Sequence, residues 1–117
     1  MVASVRPNAR WSVHRVSGPS MAPALRAGDF VLARRTAADR VRPGDVVLAR
    51  HPLRADGLLL VKRAVRRQDG GWWLESDNPF VTSDSREFGA VPDRLILARA
   101  VLRLRDPLRV ARIPEKR

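Results

Sequence analysis

Paired turn residues at short intervals are the feature that most constrains the fold of this chain. Gly28-Asp29 and Gly44-Asp45 are each followed by a short apolar run, and Asp69-Gly70 is a typical hairpin turn. Apolar runs this short leave little room for the 3.6-residue periodicity of an amphipathic helix. The pattern therefore predicts a mostly β fold, built as a partly open barrel or as coiled β-sheets with little helix.

The apolar runs between these turns are the predicted strands, and they lie at 11–16, 30–33, 46–49, 58–65, 72–75 and 95–104. The last run is long enough for a helix, but its β-branched and aliphatic residues favour a strand. Asp69-Gly70 should join the fourth and fifth strands in a hairpin, with Lys62 on its first arm. Residues 76–89 are polar and irregular, which is typical of a functional loop.

The length of 117 residues predicts one domain. We expect a basic lead-in at 1–10, a single domain at 11–105 and a tail at 106–117. The N-terminal region lacks the apolar core of a signal peptide, and no apolar run approaches the roughly 20 residues that span a bilayer. The sequence therefore predicts a soluble, cytoplasmic protein with no membrane span.

The composition bears on metal and redox chemistry. The chain has no cysteine, which excludes disulfides, thiolate metal sites and cysteine nucleophiles. Two histidines, His14 and His51, are too few for an all-histidine metal site. We therefore expect no metal and no cofactor.

The formal net charge of +11 has two interpretations. It can reflect a compositional bias with a solvated basic surface, or an affinity for nucleic acid or another acidic partner. The sequence has no helix-turn-helix pattern and little interleaving of aromatic with basic residues, which disfavours nucleic-acid binding. A basic, non-enzymatic binding module remains the alternative function.

Ser20 lies in the most constrained turn of the sequence. Gly18 and Pro19 precede it and Pro23 follows shortly after, so both the freedom of glycine and the fixed dihedral of proline shape this turn. A serine presented in this way is a candidate nucleophile. The simpler interpretation is that Ser20 is the N-cap of a short helical turn.

Lys62 is the candidate base. Of the 23 basic residues only Lys62 and Lys116 are lysine, and four aliphatic residues at 58–61 precede Lys62. Burial favours the neutral amine, which can accept a proton from a serine, whereas arginine does not lose its proton. A Ser-Lys dyad is therefore chemically coherent, and an ammonium that reaches solvent from a strand edge is the alternative.

Four ordered motifs resemble those of the type I signal peptidase superfamily. They are Ser-Gly-Pro-Ser-Met-Ala-Pro-Ala-Leu at 17–25, Gly-Asp-Val-Val at 44–47, Val-Lys-Arg at 61–63, and the segment from Ser-Asp-Asn-Pro to Gly-Ala-Val at 76–91. The resemblance implies Ser20 as the acylating nucleophile and Lys62 as the general base. It also implies a β-rich core to which a substrate peptide adds as an extended strand.

The same resemblance implies roles in the loop 76–89. The hydroxyl that orients the lysine in signal peptidases falls at Thr82, and the charged positions that support it fall at Asp77, Asp84 and Arg86. Ser76 stands where the superfamily has the glycine of a Gly-Asp-Asn motif.

The oxyanion hole implied by the resemblance uses the backbone N–H of Ser20. In some members a serine hydroxyl is the second donor, and its position here is Gly18. Whether a second donor replaces it stays open.

Among compact members, the motifs are similar to the nickel-type superoxide dismutase maturation proteases. The implied reaction is removal of a short N-terminal leader from the dismutase precursor, which would be the partner, and the protease itself needs no metal. Two other uses of the same chemistry are less favoured. Signal-peptidase-like processing of exported proteins would go with a membrane anchor, and a self-cleaving repressor-type domain would go with a DNA-binding module before residue 11.

Overall fold

The computed structural model describes residues 2–5, 9–105 and 109–116. The strands are β1 (Val2–Val5), β2 (Trp11–Val16), β3 (Phe30–Arg35), β4 (Val46–Arg50), β5 (Leu59–Gln68), β6 (Gly71–Glu75), β7 (Val91–Pro92), β8 (Ile96–Arg105) and β9 (Arg109–Arg112). A four-residue helix, α1 (Ser85–Phe88), and two 3₁₀ turns at Ala38–Arg40 and Asp93–Leu95 complete the described elements. No helix in these ranges is long and apolar enough to cross a membrane.

Over the described residues, the strands form one antiparallel sheet in the order β1-β2-β3-β8-β4-β5-β6-β7, with β9 paired to β8. The mostly β prediction is therefore confirmed. The run at 95–104 is strand β8, and it pairs with β3, β4 and β9 along its length. Its position in the middle of the sheet explains why aliphatic residues dominate it.

Two strands lie in segments that the sequence predicts as lead-in and tail. β1 pairs with β2 over Val2–Val5, and β9 pairs with β8 over Arg109–Arg112. Each is held by hydrogen bonds to a neighbouring strand and lacks a long apolar run of its own. Neither segment therefore carries a recognisable strand signal in the sequence.

The hairpin that carries Lys62 has the predicted turn. Asp69 and Gly70 both have positive φ, 51° and 73°, the requirement of the two-residue turn that matches the twist of the strands. β6 pairs with β5 from Gln68 back to Arg63, so Lys62 lies just beyond the paired part of the hairpin.

Two apolar clusters cover the sheet. The first contains Val16, Met21, Leu25, Val31, Ala33, Val46, Leu48, Leu59, Val61, Ala98 and Ala100. The second contains Ala38, Val41, Val47, Ala49, Ala64, Trp72, Leu74, Val91 and Ile96. Lys62 pairs directly with Val47, so its side chain leaves the sheet on the side of the second cluster.

Candidate active site

The turn that carries Ser20 is held by backbone hydrogen bonds at both ends. Gly28 N donates to Val16 O and Val16 N donates to Asp29 O, both at 2.8 Å, which closes the base of the segment. Inside it, Ala22 N donates to Pro19 O at 3.1 Å. Gly18 has φ of 92°, a conformation that residues with a Cβ rarely adopt, so the glycine is required by this turn. Ser20 itself is 9% exposed, at the edge of the protein interior.

The backbone N–H of Ser20 is free of backbone partners among the described residues. The carbonyl of Ser20, by contrast, accepts a hydrogen bond from Asn78 N at 2.9 Å. Asn78 also donates from its side-chain amide to Pro19 O at 3.0 Å. The loop that begins at residue 76 therefore fixes the serine turn through the carbonyls of Pro19 and Ser20.

The amine of Lys62 lies in the protein interior. Lys62 is only 2% exposed, and its Nζ donates a hydrogen bond to Ser76 Oγ at 2.9 Å. Burial has the largest effect on the pKa of Lys62 and lowers it from its usual range; the Asp84 carboxylate raises it and the Arg86 guanidinium lowers it. The amine is thus easier to deprotonate than a lysine in water.

Asp84 anchors the loop beside this lysine. It is fully buried, accepts hydrogen bonds from Ser76 N at 2.8 Å and Arg86 N at 3.0 Å, and forms an ion pair with Arg86 at 2.7 Å. Burial alone would raise the pKa of Asp84, but the hydrogen bonds from Arg86 and Ser76 hold it below its usual range. Asp84 and Arg86 therefore pair directly, and Asp84 also caps α1.

The tripeptide 76–78 contacts both the amine of Lys62 and the turn that carries Ser20. Ser76 contacts the Lys62 amine, and Asn78 contacts the backbone of Ser20. One short segment of the loop therefore links the turn of Ser20 to the amine of Lys62. Among the described residues no hydrogen bond joins the Ser20 hydroxyl directly to the Lys62 amine, whose hydrogen bond goes to Ser76.

The structure differs from the sequence-based expectation at Thr82. The side chain of Thr82 is exposed, whereas Ser76 is buried and makes the hydroxyl contact with Lys62. The physical reason is local. Thr82 O accepts a hydrogen bond from Asp84 N at 2.8 Å in the turn before α1, and this turn lies at the surface.

Asp77, a supporting position implied by the resemblance, has Arg63 as its partner. It pairs with Arg63, with Nη2 and Oδ2 2.6 Å apart and a second hydrogen bond from Nε to Oδ1 at 3.2 Å. Lys62 and Arg63 are adjacent on a strand, so their side chains leave on opposite sides of it. Asp77 therefore fixes the loop through Arg63, whereas the Asp84 carboxylate raises the pKa of Lys62.

Three residues of this site have no role assigned from the sequence: Ser76, Asn78 and Arg63. Ser76 replaces the glycine of a motif. A polar residue at such a position is the one sequence signal that points to a role for its hydroxyl. Arg63 belongs to the Val-Lys-Arg motif, but its partner could not be predicted because Asp77 lies 14 residues away along the chain.

Comparison with known proteins identifies the family. Residues 3–90 match the family described as Peptidase S24-like. The chain belongs to this family.

Two curated relatives are mitochondrial proteases by name. The chain is 33% identical over 121 residues to the mitochondrial ATP-independent inner membrane protease subunit 1a of Arabidopsis thaliana, covering 82% of the chain and 71% of that protein. It is 33% identical over 109 residues to the mitochondrial inner membrane protease subunit 1 of Xenopus tropicalis, covering 75% of the chain and 65% of that protein. The family and these relatives support a function of the serine peptidase type.

Proposed function

We propose that this protein is a serine endopeptidase in which Ser20 is the nucleophile and Lys62 the general base. The observation that carries the proposal is the buried Lys62 amine, with its lowered pKa, next to the loop that holds the turn of Ser20. A direct hydrogen bond between base and nucleophile is often long before substrate binds, so its absence here is compatible with the proposal.

The proposed reaction begins when the neutral Lys62 amine takes the proton of the Ser20 hydroxyl and Oγ attacks the carbonyl carbon of the scissile bond. The oxyanion accepts a hydrogen bond from the free backbone N–H of Ser20. When the C–N bond breaks, the Lys62 ammonium returns a proton to the leaving amine. Water, deprotonated by Lys62, then hydrolyses the ester on Ser20 and restores the enzyme.

We propose a precursor protein with a short N-terminal leader as the substrate, and a nickel-type superoxide dismutase precursor in particular. The general part is supported by the protease family of the chain. The particular part is supported by the resemblance of Gly-Gly-Trp-Trp at 70–73 and of the loop segment 77–89 to the maturation proteases of that dismutase.

Co-expression of the chain with a nickel-type dismutase precursor tests this function. We expect the wild-type chain to remove the leader and the Ser20→Ala variant to leave the precursor intact, because no other group replaces the acylated oxygen. Mass spectrometry of the dismutase N-terminus measures the result. Ser83→Ala, which removes an exposed serine hydroxyl, is the matched control and should cleave normally.

The outcomes of this experiment are distinct. Leader removal by the Ser20→Ala variant would contradict the nucleophile assignment. A precursor left intact by the wild-type chain, which nevertheless cleaves another protein through Ser20, would contradict only the choice of substrate.

A basic binding module is the second candidate, and one surface favours it. A cavity of about 630 Å³ is lined by one carboxylate and five guanidinium groups, those of Asp45, Arg34, Arg35, Arg40, Arg42 and Arg99. Such a surface suits an anionic ligand. The Ser20→Ala comparison separates the two candidates, because anion binding at this cavity does not need the Ser20 hydroxyl.

A further inference from the structure

We infer that Ser76 is the positioning residue for the proposed base, and that its hydroxyl orients the Lys62 amine toward Ser20. This inference rests on the proposed function, and it gives Ser76 the part that the sequence motifs suggest for Thr82. Ser76 acts through Lys62 and does not itself touch the reacting bond.

The first support is the contact itself. Ser76 and Lys62 are each 2% exposed, and Lys62 Nζ lies 2.9 Å from Ser76 Oγ. A lysine side chain has four rotatable bonds, and a buried amine needs a partner for its N–H groups. The Ser76 hydroxyl is such a partner, so it fixes an otherwise adaptable side chain in one position.

The second support is that Ser76 is itself held from the backbone. Its N–H donates to Asp84 Oδ2 at 2.8 Å, so its position does not depend on its own rotamer alone. Asp84 is in turn held by Arg86, which donates from Nε at 3.1 Å and from Nη2 at 2.7 Å. The hydroxyl is therefore presented to the amine by a fixed loop.

The third support is the stereochemistry of an amine. Neutral Lys62 has two N–H donors and one lone pair, arranged tetrahedrally about Nζ. An N–H directed at Ser76 Oγ leaves the lone pair free to accept the proton of Ser20. The same loop also contacts the serine turn, because Asn78, two residues beyond Ser76, holds the Ser20 carbonyl.

The fourth support is the contrast with the alternative hydroxyl. Thr82 is exposed, and its carbonyl is used by Asp84 N in the surface turn. A superfamily member with glycine at position 76 has no hydroxyl there and must orient its lysine from elsewhere. In this chain the exchange to serine supplies the hydroxyl from the opposite end of the same loop.

Steady-state kinetics of Ser76→Ala, with Thr82→Ala as the matched control, tests the inference on a cleaved substrate. We expect Ser76→Ala to lower kcat by about 10- to 100-fold with KM changed by less than about threefold, as for the loss of one buried hydrogen bond. Thr82→Ala should stay within about twofold of the wild type, since its side chain is exposed.

A pH–rate profile separates positioning from a merely structural effect. The Ser76 hydroxyl accepts a hydrogen bond more strongly from an ammonium than from an amine, so its removal should lower the pKa of Lys62 further. The rising limb of kcat should therefore move to lower pH in Ser76→Ala, and Thr82→Ala should leave it in place.

Ser76→Gly is the second variant, because it keeps the backbone N–H that binds Asp84 and removes only the hydroxymethyl group. If Ser76→Ala fails to fold, the same loss of kcat and the same pH shift are expected in Ser76→Gly. The Nζ resonance of Lys62, followed by NMR in the Ser20→Ala background, gives a reading of the amine that does not need turnover.

Three results would overturn the inference. They are a folded Ser76 variant whose kcat and pH–rate profile match the wild type, a large loss of kcat in Thr82→Ala alone, and an NMR titration of Lys62 Nζ that does not change when Ser76 is replaced. Failure of the proposed function looks different. In that case Lys62→Met retains activity, whatever Ser76 does.

Discussion

Replacing Lys62 with methionine should lower kcat/KM by about 1,000-fold or more and leave the fold intact. Loss of a general base that also protonates the leaving group typically reduces the rate by two to four orders of magnitude or more. Methionine has a similar volume to the lysine stem and no charge to desolvate, so it suits this buried position. Kinetics with circular dichroism of the same sample measures both parts of the prediction.

Lys116→Met is the control for this variant. The chain has only two lysines, and Lys116 is exposed near the C-terminus, so its loss removes a lysine amine that lies outside the protein interior. Equal activity of Lys62→Met and the wild type would refute the assignment of the base.

The lowered pKa of Lys62 also gives the direction of its pH effects. Activity should rise with pH through the folded-state pKa of Lys62, since only the neutral amine takes the proton of Ser20. Stability changes in the same direction. Between that lowered pKa and the ordinary value of 10.5, the unfolded chain binds more protons at Lys62 than the folded chain does. The contribution of Lys62 to the free energy of unfolding therefore rises with pH in this range and is lost as the pH falls. Lys62→Met should remove that component.

The second large effect is expected on stability, at the ion pair between Arg63 and Asp77. Their side chains are 5% and 4% exposed, and Arg63 also donates to Gly44 O at 2.8 Å and Pro114 O at 3.0 Å. Asp77→Ala leaves a buried guanidinium without its carboxylate, which should reduce the free energy of unfolding by about 3–5 kcal/mol. Chemical denaturation with unchanged m-value measures this loss.

The exposed pair between Arg54 and Asp56 is the matched control. It has the same N–O distance of 2.6 Å, but its side chains are 53% and 55% exposed. Asp56→Ala should leave the denaturation midpoint nearly unchanged, because water screens the pair. The double variant Arg63→Met with Asp77→Leu should recover part of the lost stability, since no buried charge remains unpaired. Similar losses from Asp77→Ala and Asp56→Ala would contradict this account of burial.

The parts of the fold that sequence could predict are those with a local cause. Asp69-Gly70 requires two positive φ values that few other dipeptides adopt easily, so the hairpin followed from two residues. β1 and β9 could not be predicted in this way, because neither has a long apolar run to mark it. Each is held in the sheet by hydrogen bonds to a neighbouring strand.

The same distinction applies to the site. The burial of Lys62 followed from the four aliphatic residues before it, and the structure confirms that burial. The contacts of the loop 76–89 could not be predicted from the sequence. Whether Ser76 or Thr82 contacts Lys62 depends on how the turn before α1 packs. The pairing of Asp77 with Arg63 depends in addition on the side of β5 on which the Arg63 side chain lies. The order of the motifs along the chain does not determine that side.

Trapping of the acyl-enzyme tests the central claim most directly. The wild-type chain would be mixed with a cleaved precursor, quenched in acid within the first turnover and digested with trypsin. We expect the peptide 16–26 to gain the mass of the leader, or of its C-terminal tryptic fragment, minus water, localised to Ser20 by fragmentation and absent in Lys62→Met. Cleavage that proceeds with no ester on Ser20 at any time, or an adduct on another residue, would contradict it.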